Sequence, residues 1–340
     1  MKSLSFARWW TTLLALAGLL MGVILAATLI GPAPVNLLKV VRYLKQGSEK
    51  TTDVLILWEV RLPRVLLAGV VGAALAVVGG VLQALVRNPL ADPHILGISG
   101  GASLGAVIAL ALKLDRSLWG FSTVPLFAFL GALATLGIVY ILASTQGRMA
   151  IYTLLLTGVV LNAFFSAVMM LLIAMADLST AQNMMVWLMG GLNSLSYKTV
   201  GITFLYAGPG IFLLLLLSHR FNLLSLGEEA AQQLGVDVER TKKITFITTS
   251  LVTGSVVAVS GPIGFVGLII PHAIRLLLGP DHRLLLPASF FAGAIFLIGA
   301  DTAARSLMAP TELPVGVLTS LCGAPFFLWL IRRPGNRPKL

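Results

Sequence analysis

Leu62-Pro63-Arg64-Val65-Leu66-Leu67-Ala68-Gly69-Val70-Val71-Gly72-Ala73-Ala74-Leu75-Ala76-Val77-Val78-Gly79-Gly80-Val81-Leu82-Gln83-Ala84-Leu85-Val86 carries no ionisable side chain between Arg64 and Arg87. As a helix rising about 1.5 Å per residue, such a run is long enough to cross a hydrocarbon core about 30 Å thick. Its glycines, Gly69, Gly72, Gly79 and Gly80, suit a helix that packs closely on its neighbours in lipid.

Working outward, comparable runs recur along the whole chain. Ten spans are expected, at about 9–30, 62–86, 95–112, 123–143, 151–176, 197–218, 241–260, 263–279, 284–304 and 314–331. Composition agrees: 57% of the residues are hydrophobic and 11% are charged, against about 45–50% and 25% in ordinary soluble domains. The fold class is therefore an all-α polytopic membrane protein, a single transmembrane domain over 1–340. The net charge of +11 does not point to nucleic acid, because Lys and Arg sit in short groups between apolar runs. Loops on the cytoplasmic side of a membrane carry such groups. The single cysteine, Cys322, lies in an apolar run and excludes a disulfide framework or a Cys-based metal site.

Lys2 and Arg8 precede an apolar stretch from Trp9 to Ile30, longer than the roughly 7–15 residues of a cleaved signal. It reads as a retained span starting in the cytoplasm. An even number of spans returns the C-terminus to that side, where Arg332, Arg333, Arg337 and Lys339 form a basic tail. In the first outside loop, Leu37, Leu38, Val41 and Leu44 alternate at helical spacing with Lys39, Arg42 and Lys45. This predicts a short interfacial helix at about 35–46. Gly97, Gly101 and Gly105 line one face of the third span. Gly72, Ala76 and Gly79 match Gly254, Ala258 and Gly261 five spans later, the mark of an inverted repeat.

The largest polar segment between spans is Ser225-Leu226-Gly227-Glu228-Glu229-Ala230-Ala231-Gln232-Gln233-Leu234-Gly235-Val236-Asp237. Ser225 and Glu228 have the spacing of a capping box, and Gly235 suits a left-handed helix end. A capped helix of about ten residues is expected, exposing small Ala230 and Ala231. It reads either as a solvated loop helix or as a rigid plug for a partner's groove.

Glu229-Ala230-Ala231 with Leu234-Gly235 resembles the coupling helix of ATP-binding cassette (ABC) importer permeases. Further motifs extend the likeness: Arg61-Leu62-Pro63-Arg64, Gln83, Asn88-Pro89-Leu90-Ala91-Asp92-Pro93 and Leu96-Gly97. Gly261-Pro262-Ile263-Gly264-Phe265-Val266-Gly267-Leu268, Pro271-His272 and Arg275 follow, then Glu312-Leu313-Pro314-Val315-Gly316 and Gly323-Ala324-Pro325-Phe326-Phe327. From about residue 55 onward the chain resembles the cobalamin, iron-siderophore and haem permeases of ABC importers. The resemblance implies a homodimer of ten-span subunits in the inner membrane, two ABC ATPase subunits and an external solute-binding protein. No G-x-x-x-x-G-K-[ST] loop is present, so ATP and magnesium belong to the partner, and this chain is expected to hold no cofactor and no metal.

The same resemblance implies roles for particular residues. Leu226, Gly227, Glu228, Glu229, Ala230, Ala231, Leu234, Gly235 and Val236 would contact the ATPase. Arg61, Arg64 and Arg305 would meet glutamates of the binding protein; snorkelling at the interface is the alternative for the first two, and pairing with Asp301 for the third. Asn88 and Leu90, with Ile151 and Tyr152, would close an inner gate. Asn162, polar within the fifth span, serves either the path or a helix–helix hydrogen bond. Gly261-Pro262-Ile263-Gly264 is expected as a tight outside turn. Met169, Met170, Met175, Met184 and Met185 read as flexible apolar filling. His94, His219, His272 and His282 lack the i, i+4 spacing of a helical zinc site.

Two other classes compete with an importer permease. A gradient-driven secondary transporter would place acidic groups at mid-membrane, whereas nearly all acids here lie at loops or span ends. A membrane enzyme would need a carboxylate pair, metal cluster or nucleophile constellation within a span, and none is found in the sequence.

Overall fold

The computed structural model describes residues 6–36, 40, 43, 51–114, 117–118, 121–145, 148–192 and 196–332. Most of the expected interfacial helix at 35–46, and the basic tail beyond Arg332, lie outside the described residues. The chain is a helical bundle. In order it forms α1 (Phe6–Leu29), α2 (Thr52–Leu85), α3 (Ile98–Ala111), α4 (Thr123–Ala143) and α5 (Ile151–Met175). There follow α6 (Leu178–Leu188), α7 (Tyr197–Leu216), α8 (Ser218–Leu224) and α9 (Glu228–Gln233). The last four are α10 (Val238–Ser260), α11 (Val266–Leu278), α12 (His282–Ser306) and α13 (Val315–Arg332). Two-residue strands form minimal antiparallel ladders in two loops: β1 (Ser117–Leu118) with β2 (Phe121–Ser122), and β3 (Ser144–Thr145) with β4 (Arg148–Met149).

All ten expected apolar segments are helical. Seven are long and apolar enough to cross a membrane, and three apolar stretches are shorter. The segments expected at 95–112 and 263–279 begin late, as α3 and α11 of 14 and 13 residues. At about 1.5 Å per residue each rises only about 20 Å, short of a full crossing. Both follow a long helix and a break. After α2 come a turn and a 3-10 helix at Pro93–Leu96; after α10 comes the run from Gly261 to Phe265. The break after α10 is not the outside turn expected from its Gly-Pro-Ile-Gly sequence. Gly261 and Ile263 are buried, Gly191 N–H donates to Ser260 O at 2.8 Å, and Gly267 sits against Leu75 and Gly79 of α2. The turn is interior because α11 starts part-way along α2 and not at its end.

α2 is the central post: 83% of its most apolar window is buried, against 11% for α1 and 17% for α5. Small residues make that centrality possible. At Gly72 an added Cβ would strike Gly293 O of α12, and at Gly79 it would strike Gly267 O of α11. The glycine face of α3 works likewise, with Gly101 set against Gly131 and Thr135 of α4. Backbone-to-backbone contact of this kind is how helices associate where lipid removes the hydrophobic drive. Helix starts are capped by Asp177 (α6), Ser196 (α7), Asp237 (α10) and Asp281 (α12), each accepting a backbone N–H of the first turn.

Candidate functional site

The polar segment between α7 and α10 builds a surface helix, shorter than expected. α9 has six residues and starts after Gly227, whose φ of +117° only glycine adopts readily. The capping box does not form. Ser225 directly follows α8 with helical backbone angles, so its hydroxyl donates back to Phe221 O at 2.8 Å. Gly235 ends the element at φ +84°, as expected. Glu229, Gln232, Gln233 and Leu234 face outward, and Leu226 is 67% exposed. Ala231, expected on the surface, is fully buried, and Val236 beside it is 7% exposed. Those two residues seat the helix on the bundle and leave its polar side free. Leu226, Gly227, Glu228, Glu229 and Ala230 line a cleft of about 320 Å³ with Arg87, the residue before the turn at Asn88.

That turn is open to the surface. Asn88 Oδ1 accepts from Leu90 N–H at 2.9 Å, and Leu90 is 44% exposed. Tyr152, at the start of α5, is 79% exposed, and Ile151 is half-buried. Asn162, further along α5, donates from Nδ2 to His94 O at 2.8 Å. Of the two readings open for Asn162, the geometry displays the helix-joining bond. His94 continues the link, its Nε2 lying 3.1 Å from Ile263 O. Gln83 Nε2 donates to Gly267 O and Leu268 O, and its Oε1 accepts from Arg275 at 2.8 Å. Residues in the quoted motifs thus stitch the two broken segments to α2 and α5.

At the other end of α2 the three arginines expected on an exposed docking face are turned inward. Arg61 is 3% exposed and donates to Thr28 O, Leu29 O and Ala33 O. Arg64 Nε lies 3.0 and 3.1 Å from the two carboxylate oxygens of Asp301, and Nη1 is 2.7 Å from Glu312 Oε2. Arg305 donates to Ala27 O and stands 3.8 Å from Asp301. The pairing with Asp301 weighed for Arg305 is present, but Asp301 is held closer by Arg64. The physical reason is desolvation: a guanidinium drawn into the bundle has to be matched by carboxylates and carbonyls.

Lys242, in sequence one of several basic residues between two apolar runs, is drawn into the bundle. Its side chain is 5% exposed, and its Nζ is 2.6 Å from Glu228 Oε2 and 3.1 Å from Glu239 Oε1. The i, i+3 spacing of Glu239 and Lys242 was the available local signal.

Among the described residues, a bundle of long apolar helices, broken twice inside and carrying a short polar helix on its surface, is the architecture of a multi-pass membrane protein. Comparison with known proteins identifies which kind. The chain belongs to the FecCD transport family, whose model matches residues 19–333. It is 45% identical over 276 residues to the hemin transport system permease HmuU of Yersinia pestis, covering 81% of this chain and 82% of that one. It is 44% identical over 289 residues to the cobalamin import permease BtuC of Halobacterium salinarum, covering 85% and 76%. A solved inward-facing ABC transporter of metal-chelate type superposes with a TM-score of 0.82 at 33% identity, covering 95% of this chain and 99% of that one. The protein is accordingly the membrane-spanning permease subunit of an ABC importer.

Proposed function

We propose that the protein carries a metal chelate, an iron chelate (siderophore or haem) or cobalamin, inward across the inner membrane. It would act as a homodimer with two ABC ATPase subunits that bind ATP and magnesium, its own N- and C-termini on the ATPase side. The observation that carries this reading is α9. A six-residue polar helix seated through Ala231 and Val236, with Glu229, Gln232 and Leu234 facing out, is a docking element and not a span. The cargo class is supported by relatives named for hemin, cobalamin and iron-chelate transport.

An external solute-binding protein is proposed to dock around Arg61, Arg64 and Arg305. Three arginines against the two carboxylates of Asp301 and Glu312 leave a modest positive excess, which would favour encounter with an acidic partner. Glu312, with a side chain 44% exposed, is the group that a partner carboxylate would displace from Arg64. Asn88, Leu90, Ile151 and Tyr152 are proposed as the inner gate.

The test is affinity capture of the tagged chain from its native membrane in mild detergent, followed by mass spectrometry and a visible absorption spectrum. An ATPase recovered in equal amount, with a binding protein carrying a haem, ferric-chelate or corrin chromophore, is the expected result. Transport by the chain after repeated recovery without any ATPase would overturn it.

A further inference from the structure

Lys242 joins three separate pieces of chain. Besides Glu228 at the start of α9 and Glu239 on α10, its Nζ lies 3.5 Å from Met149 O. Glu239 completes the link, its Oε2 accepting from Met149 N–H at 2.8 Å. Met149 is 2% exposed and is the last residue of β4, two residues before α5 begins at Ile151. The ladder with β3 pairs Met149 with Ser144, and Ala150 N–H donates to Ala143 O. The base of α5 is thereby clamped to the end of α4 on one side and to Lys242 and Glu239 on the other. At the same end of α9, Gly227 and Glu228 also share a cleft with Arg87, just ahead of Asn88.

Backbone connectivity gives α9 little mechanical leverage. Glycines in positive-φ conformations, Gly227 and Gly235, bracket it on both sides. A displacement of α9 carried only through those joints would be absorbed as dihedral change, as hinges do. Ala231, fully buried, packs α9 on the bundle, and the side-chain tie adds a directed link to the base of α5 that bypasses the joints. The ammonium, gripped at 2.6 and 3.1 Å and 5% exposed, is the desolvated half of the tie. The carboxylates of Glu228 and Glu239 are 37% and 34% exposed, so the link is stronger than a fully exposed pair but partly screened by water.

We propose that Lys242, with Glu239, is a positioning pair that transmits movement of α9 to the first turn of α5. Nucleotide-driven displacement of the docking helix then reaches the segment around Tyr152. This rests on the reading of α9 as the ATPase contact.

The experiment uses the full chain with its ATPase subunits in lipid nanodiscs, with Cys322→Ser as background and Tyr152→Cys as a reporter. Maleimide labelling at position 152 is timed without nucleotide, with ATP and with ATP plus vanadate. Lys242→Met is expected to retain ATPase binding and hydrolysis while the nucleotide-dependent change in labelling rate falls at least about fivefold, the low end of site-to-site couplings. Lys242→Arg is expected to restore most of it. Glu239→Gln tests the tie at nearly constant volume, because the amide removes the charge and replaces one of the two accepting oxygens, facing Lys242 or Met149 N–H, by an NH2 that cannot accept; it too should lose the change. A full nucleotide response in Lys242→Met or Glu239→Gln overturns the proposal. So does loss of ATPase binding in both, which would make the pair part of the dock alone. An unaltered chain that binds no ATPase overturns the reading of α9 and this proposal with it.

Discussion

Replacing Asp301 by Ala removes the carboxylate at the centre of the arginine cluster. Asp301 is 1% exposed, Arg64 reaches it at 3.0 Å, and Arg305 stands 3.8 Å away with 3% exposure. Without it two guanidinium groups stay buried, and Glu312, at Arg64, is the one carboxylate contact left to them among the described residues. Breaking a buried ion pair from one side costs about 3–5 kcal/mol. With each 1.4 kcal/mol worth roughly tenfold, the folded-to-unfolded ratio should fall by about two to three and a half orders of magnitude. Glu312→Gln, at an exposed partner, should cost no more than about 1 kcal/mol. The assay is thermal unfolding of the purified chain in one detergent, comparing Asp301→Ala, Glu312→Gln and the double variant Arg64→Met/Asp301→Leu. The double variant should recover part of the loss, since an apolar pair of similar volume removes the stranded charge of Arg64 but leaves that of Arg305. An Asp301→Ala midpoint equal to that of Glu312→Gln would refute the account of this cluster as a desolvated, mutually dependent unit.

Gly79→Val should prevent correct docking of α2 on α11, because the added Cβ falls on Gly267 carbonyl oxygen, a backbone atom that cannot rotate away. Yield of monodisperse protein in size-exclusion chromatography should collapse for Gly79→Val but not for Gly18→Val, where nothing lies within 4 Å of the new atom. Asp281 is held down at about 2, chiefly by the hydrogen bond from the Arg283 side chain, aided by Asn222 Nδ2 at 2.7 Å and opposed by burial. A depressed carboxylate contributes stability that is complete above its unfolded value of about 3.9 and lost as pH falls through its folded value. The unfolding midpoints of the wild type and Asp281→Asn should therefore differ most above pH 4 and converge toward pH 2.

Part of this architecture is written locally. Whether a run such as Val65–Val86 crosses lipid depends on its own apolar length, so hydropathy located every apolar helix without reference to its neighbours. Gly235 as a helix terminus is likewise local, since only the backbone at that residue decides it. The class of protein was also legible, because the motifs from Arg61 to Phe327 stand in order along one chain. The tertiary structure decided the rest. The failed capping box at Ser225 shows why: its hydroxyl is claimed by Phe221, because α8 ends there and not because of anything in the four-residue pattern. The buried turn after Ser260 has the sequence of a surface turn, and its depth is set by where α11 meets Gly79. Arg64 and Asp301 are 237 positions apart and Lys242 and Met149 are 93 apart. Such pairs arise only when packing brings distant helices together and withdraws their charges from water, a condition that no window of sequence records.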